Sequence, residues 1–259
     1  MSEDILLRDD RDGVARLTLN RPAQRNALSV GLMAALQDAL DAIAEDATVK
    51  VVVIAANGPG FCAGHDLKEV RANPGQSNYA ALFDQCSRLM TSIVNLPKPV
   101  IARVHGIATA AGCQLVATCD LAVAAETARF ATPGVNIGLF CSTPMVALSR
   151  NVARKHAMEM LLTGDMTDAE TARSIGLVNR VVPEAELDDA VMGLANQIAS
   201  KSPLTLAIGK EAFYRQLEMP LDDAYAFASE VMTRNMLAQD AEEGIDAFLE
   251  KRKPTWKGA

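Results

Sequence analysis

The sequence predicts an α/β protein, because short apolar runs of strand type alternate with amphipathic helical stretches and the chain closes on a predominantly helical segment. Three stretches decide it. Val14-Ala15-Arg16-Leu17-Thr18-Leu19 has the alternation of a half-buried strand. Val51-Val52-Val53-Ile54-Ala55 is a continuous, largely β-branched run, as a strand buried on both faces requires. Between them Ser29 can cap a helix from Val30 to about Glu45, with Leu32, Leu36, Leu40 and Ile43 on one face.

The remaining elements follow in order. Asn57-Gly58-Pro59-Gly60 is a turn, which leaves Cys62 to Asp66 in a loop at a strand's end. Arg71 to Asn78 is polar and contains Pro74 and Gly75, so a mobile segment covering a neighbouring pocket is expected. Tyr79 to Val94 reads as a helix, Val100 to Val104 as a strand, and Ala110 to Thr118 as the opening of another helix. From Ser202 onward the chain is helical, with apolar positions at Leu206, Phe213, Leu217, Tyr225, Phe227, Val231, Ile245 and Phe248. The division is therefore a core over 1–201 and a helical association region over 202–259. No short-period repeat or heptad array is present.

Composition narrows the classes of function. The net charge of −7 over 259 residues argues against a nucleic-acid platform, while leaving room for a local cationic pocket. Five cysteines in an odd count, without Cys-x-x-Cys pairs, suit free thiols in a reducing compartment and no metal site. No apolar run is long enough for membrane insertion, and the start, Met1-Ser2-Glu3-Asp4, is acidic rather than signal-like. A cytoplasmic protein is expected.

Two segments carry the chemistry, Phe61-Cys62-Ala63-Gly64-His65-Asp66 and Ala110-Ala111-Gly112-Cys113-Gln114. Around them, in order, stand Asn20-Arg21-Pro22, Asn26-Ala27-Leu28, Pro99-Val100-Ile101-Ala102 before Gly106, Thr163-Gly164, Gly176-Leu177-Val178, Val181-Val182-Pro183 and the ending Phe248 to Pro254. Along nearly the whole chain this order resembles the crotonase, or enoyl-CoA hydratase/isomerase, superfamily, and within it the chain is similar to the enoyl-CoA hydratase domain-containing protein 3 group. The resemblance implies a β-β-α spiral core with a C-terminal helical trimerisation region, assembled as a homotrimer or a dimer of trimers. It also implies acyl-CoA as the partner, with a coenzyme A thioester as substrate or ligand and no other cofactor.

By the same resemblance the backbone amides of His65 and Ala111 form an oxyanion hole. Two fixed N–H donors can hold the negative charge that a thioester oxygen acquires on the way to an enolate. The imidazole of His65 is either a participant or idle beside its own amide. Ala63, Asp66 and Leu67 belong to the adenine and thioester loop. Arg25, Lys68 and Lys251 are candidate phosphate anchors; Arg25 and Lys68 are equally readable as solvated surface charges, while the closing motif favours Lys251, which the resemblance implies can serve a neighbouring subunit. Phe248 is a pocket wall or a helix-packing residue, and Phe140, Cys141 and Ser142 lie in an altered stretch near the acyl group.

The departures from the family pattern matter most. Gln114 and Gly134 stand where the family's hydratases carry glutamates. Gln114 can hydrogen-bond water but cannot cycle a proton at neutral pH, and Gly134 has no side chain. Ser142 replaces a glycine whose amide helps hold the reacting water. Cys141 reads as a lining thiol rather than a nucleophile, since no activating base accompanies it. The resulting expectation is an acyl-CoA enzyme of lyase or isomerase type with poor ordinary hydration. The alternatives are an isomerase, decarboxylase or thioesterase using another proton-transfer group, or a noncatalytic acyl-CoA sensor or assembly subunit.

Overall fold

The computed structural model describes residues 4–259, so Met1 to Glu3 of the acidic start lie outside the described residues. The chain opens with an antiparallel hairpin of β1 (Leu6–Arg11) and β2 (Val14–Leu19). Asp12 and Gly13, both at positive φ, make the two-residue turn that matches strand twist. Next comes α1 (Val30–Glu45), where Ser29 Oγ accepts the Leu32 N–H at 3.1 Å. Its buried face of Leu32, Met33, Leu36, Leu40 and Ile43 is worth roughly 1.5–3 kcal/mol per side chain relative to exposure.

A β-β-α unit then repeats. β3 (Val51–Ala56) and β4 (Gly60–Cys62) precede α2 (Leu67–Ala72) and α3 (Gln76–Asn95). β5 (Val100–Val104) and β6 (Ile107–Thr109) precede α4 (Ala111–Thr118). β7 (Leu121–Ala125) and β8 (Arg129–Ala131) precede a short 3-10 turn over Pro133–Ile137, then α5 (Pro144–Asn151) and α6 (Arg154–Thr163). The first strand of each unit joins one sheet and the second joins another, so the backbone climbs as a spiral. After β9 (Thr167–Asp168), α7 (Ala169–Ser174) and β10 (Arg180–Val182) come the helices α8 (Leu187–Ala199), α9 (Pro203–Gln216), α10 (Leu221–Met236) and α11 (Gln239–Leu249).

The larger sheet has six strands in the order β1-β2-β3-β5-β7-β10, parallel from β2 onward, and the smaller has the order β4-β6-β8-β9. One face of the larger sheet packs Val51, Val53, Ile101 and Val123 against Leu187, Val191 and Ala195 of α8. The opposite face and the smaller sheet enclose the main core with α1, α3 and α4. β3, buried at every position, separates the two layers.

The polar segment from Arg71 to Asn78 is partly helical: Arg71 and Ala72 complete α2, Gln76 to Asn78 open α3, and three residues intervene. Asp66 caps α2, and Gly75 at φ 138° turns the chain sharply, so the Pro-Gly pair breaks one helix into two.

The C-terminal helices are tied to the core by polar contacts. Lys210 of α9 donates to Asp120 Oδ2 at 2.7 Å and to the carbonyls of Ile93 and Lys98, and the Tyr214 hydroxyl donates to Asp120 Oδ1 at 2.8 Å. Buried Asp240 accepts from Ser202 and from the amides of Lys257 and Gly258, which fastens the tail to the start of α9. Among the described residues no helix is long and apolar enough to cross a membrane.

Candidate active site

The three strands β4, β6 and β8 lie side by side and parallel, with Cys62 opposite Ala108 and Thr109 opposite Ala131. Their carboxyl ends therefore deliver three loops to one place: residues 63–66, residues 110–111 and the turn from Thr132 to Gly134. The first two touch closely. A Cβ on Gly112 would stand 2.1 Å from the Cys62 carbonyl oxygen, and one on Gly64 would stand 2.9 Å from Ala110 Cβ. Only glycine permits the first approach. The sequence-distant loops of His65 and Ala111 are thus brought together.

Backbone geometry leaves both amides available. Leu28 bridges to His65 through the Leu28 N–H on the Gly64 carbonyl at 2.7 Å and the Asp66 N–H on the Leu28 carbonyl at 3.2 Å, which leaves the His65 N–H outside the ladder. Ala111 is the first residue of α4, where an N–H has no intrahelical acceptor and the helix dipole is positive. Among the described residues neither amide has a backbone acceptor. Ala110 holds φ 50° and ψ −118°, a conformation costing a non-glycine residue roughly 1–3 kcal/mol, and its own N–H is fixed on Ala131 at 2.9 Å.

The imidazole of His65 meets the edge of Phe83 on α3, with ring centroids 5.7 Å apart and planes at 77°. Both ring nitrogens are buried and, among the described residues, neither has a hydrogen-bond partner. Burial pushes its pKa below the ordinary imidazole value, and the nearby Leu28 carbonyl and Glu69 charge offset this only in part. The shift favours the neutral ring.

Gln114 is buried on α4, and Cys86, one turn beyond Phe83 on α3, reaches its Oε1 at 4.0 Å. One stripe of α3 therefore touches both the imidazole and the Gln114 amide. Gln114 also lines a mostly apolar cavity of about 950 Å³ between α3, α4, α5 and α9, walled by Met90, Val94, Val146 and Tyr214. Gly134 is closed off instead. A Cβ there would meet the Leu139 carbonyl oxygen at 2.6 Å and Cys141 Sγ at 2.9 Å, so the backbone and a thiol fill the space a glutamate would need. Burial pushes the thiols of Cys62 and Cys113 up to about 12 and that of Cys86 to about 11, and it raises Cys141 too. None is a thiolate near neutrality.

Ser142 donates its amide to the Phe140 carbonyl at 2.7 Å, so that amide is already committed. The side chain of Asp66 is committed as well. It accepts from the Lys68 and Glu69 amides and pairs with Arg21 at 3.0 Å, and the first of these carries its role as the α2 cap. Arg21 and Asn26 are the residues that sequence reasoning left without individual roles. Arg21 holds Asp66 and the Ala27 carbonyl, while fully buried Asn26 donates to the carbonyls of Asn57 and Gly60. Their signal was the Asn20-Arg21-Pro22…Asn26 spacing.

Arg25 sits in a left-handed turn whose carbonyl accepts the Ala63 N–H at 3.1 Å, which places its exposed side chain at the rim of the His65 loop. Leu67 and Lys68 are exposed on the first turn of α2 beside it. Phe140 is exposed on the loop before α5. Phe248 and Lys251 stand apart, at the end of α11. Phe248 is 82 % exposed, and Lys251 takes the left-handed position of a Schellman cap, with Lys251 N–H on Phe248 and Arg252 N–H on Ala247. Among the described residues nothing joins them to the His65 loop. Among the described residues no cluster of three or more His, Cys, Asp or Glu side chains is arranged for a metal ion.

Residues 9–259 match the family model described as enoyl-CoA hydratase/isomerase. The chain belongs to the enoyl-CoA hydratase/isomerase family. It is 50% identical over 245 residues to the human enoyl-CoA hydratase domain-containing protein 3, mitochondrial, covering 95% of this chain and 81% of that one. It is 38% identical to the Escherichia coli 2,3-dehydroadipyl-CoA hydratase over 100% of both chains. A solved structure from Mycobacterium smegmatis described as an enoyl-CoA hydratase superposes with a TM-score of 0.96 at 56% identity, over 98% of this chain and 99% of that one.

The comparison overturns the cytoplasmic expectation. The human, mouse, rat, frog and zebrafish relatives are all named as mitochondrial proteins. The physical reason for the error is that free thiols and a mild negative charge describe reducing conditions, not one compartment.

Proposed function

We propose that this enoyl-CoA hydratase/isomerase family member binds acyl-CoA thioesters and works as a lyase or isomerase on the enolate they form, with ordinary hydration poor. The names of the relatives support the CoA thioester class. The unpaired amides of His65 and Ala111, a loop apart in space, support an oxyanion hole for the thioester oxygen. Arg25 and Lys68 at the rim of the His65 loop support phosphate anchoring. An acyl tail leaving the hole past Gln114 has the apolar cavity between α3 and α9 ahead of it. The reading calls for no cofactor besides the CoA of the substrate.

The observation that carries the conclusion is the state of the two glutamate positions. Gln114 is a buried amide, Gly134 is sealed by Leu139 and Cys141, and the Ser142 amide is taken by Phe140. Hydration needs one group to activate water and a group to deliver a proton, and loss of positioned acid-base catalysis costs roughly 10²–10⁴-fold. The test is turnover and binding over a panel of short trans-2-enoyl-CoA thioesters and their free acids. Thioesters are expected to bind more tightly than the acids while hydrating slowly. Equal affinity for the two, or hydration at roughly 10–10³ s⁻¹, would overturn the reading.

A further inference from the structure

Resting on that reading, we propose that the His65 imidazole is the catalytic proton carrier of this site, moving one proton between C2 and C4 of a 3-enoyl-CoA to give the conjugated 2-enoyl-CoA. A half-buried histidine whose two ring nitrogens are shut from solvent and unpartnered is an unexplained feature of a fold that satisfies most of its buried polar groups. The nearby Leu28 carbonyl makes no full hydrogen bond to the ring, so a ring nitrogen still has its lone pair free. Its own backbone amide is one of the two unpaired donors, so the ring belongs to the same residue that would hold the thioester oxygen, and a bound acyl group has to part the ring from Phe83 to reach its nitrogens.

Among the described residues, the carboxylates near the loops are engaged. Asp66 is paired with Arg21, and Glu69 accepts the Val30 amide at 3.0 Å. Asp120 is held by Lys210 and Tyr214, and burial keeps the surrounding thiols protonated. One unengaged base suits a 1,3-proton shift, which needs a single group that first takes and then returns a proton. Hydration, with its activated water, asks for more.

The step balances within the substrate. A neutral ring nitrogen removes a C2 proton, the C–H electron pair forms the C1=C2 bond, and the carbonyl pair moves to oxygen, where the His65 and Ala111 amides meet it. The pair then returns from oxygen, C2=C3 forms, and the C3=C4 electrons take the imidazolium proton at C4. Imidazole is neutral again. Nothing is oxidised or consumed.

Substitution at His65 keeps the backbone amide, so it separates the ring from the oxyanion hole. The experiment compares wild type, His65→Ala and His65→Gln in three measurements: affinity for hexanoyl-CoA by calorimetry, deuterium uptake at C2 of hexanoyl-CoA in heavy water by mass spectrometry, and conjugation of 3-hexenoyl-CoA by absorbance. Wild type is expected to take up deuterium and to conjugate the alkene. Both variants are expected to bind the thioester as wild type does, with both rates down roughly 10²–10⁴-fold. Undiminished rates in either folded variant would overturn the proposal, as would a wild type that binds the thioester without exchanging C2 protons. The second outcome needs no variant to fold and leaves the acyl-CoA reading standing. Failure of wild type to prefer hexanoyl-CoA over hexanoate would instead bring down that reading, and this proposal with it.

Discussion

An imidazole buried without partners carries an acid penalty, and His65 makes it measurable. Its folded pKa lies below the ordinary value because burial disfavours the cation; Glu69 of α2 and the Leu28 carbonyl favour the cation weakly, Phe83 of α3 supplies no charge, and Asp66 is spent on Arg21. Above about pH 6.5 both folded and unfolded chains carry neutral imidazole and stability is full. As pH falls below that value the unfolded chain takes up the proton first, and stability drops until the lowered folded pKa is reached. Asp66 acts elsewhere: its depressed carboxyl contributes stability above the usual carboxylate range and loses it at more acidic pH, as pH falls through its folded value. Urea midpoints of wild type should therefore decline from about pH 6.5 downward, whereas those of His65→Gln should stay level until carboxylates titrate. Parallel profiles for the two proteins would show that His65 is not buried as described. The position of this residue was legible in Ala63-Gly64-His65-Asp66, but its isolation was not, because that depends on Phe83 and Leu28 arriving from other elements.

At the level of elements, β2, β3, β5, α1, α3 and the start of α4 were legible, while β1, β7, α6, α8 and the smaller sheet were not. β3 and α1 announce themselves by a continuous apolar run and a four-residue face, and Ser29 caps where expected. β4, β6 and β8 have three residues each, too few to show a period, yet their ends aim all three site loops. Gly134 shows the same limit. The sequence reports an absent carboxylate, while the structure reports a turn closed over that place by the Leu139 N–H on the Gly134 carbonyl at 2.9 Å. A glutamate there needs the whole 138–142 loop to move. Gly134→Ala should accordingly destabilise by about 1–3 kcal/mol, the usual cost of overpacking, as read from urea unfolding. A neutral substitution would mean that the loop yields easily, and a restored glutamate would then be worth trying for hydration.

At the scale of the whole molecule, the apolar residues of 202–259 are held out rather than in. Phe213, Leu217, Leu221, Tyr225, Met232 and Leu237 are all exposed on α9, α10 and the residues that follow them, although Lys210 anchors α9 to the core and buried Asp240 ties α11 and the tail to the start of α9. A second exposed set, including Ile137, Leu139, Phe140, Met158 and Leu162, lies on the loop before α5 and on α6. A monomer rarely leaves so many large apolar side chains in water on a few helices, and closed rings of copies bury such faces pairwise. The association region is therefore expected to hold a homotrimer, or a dimer of trimers, with Phe248 and Lys251 at the end of α11 free to reach a neighbouring subunit's site. Light scattering at working concentration should give a mass of three or six chains. Leu217→Arg with Tyr225→Arg should lower it toward one chain while the far-ultraviolet dichroism of the core stays unchanged, because both side chains face outward. If Phe248 and Lys251 complete a neighbour's site, thioester affinity should fall in the same variant. A wild type that scatters as a single chain would remove the trimer. A dissociated variant with undiminished thioester affinity would leave each subunit's site complete in itself, and place Phe248 and Lys251 outside it.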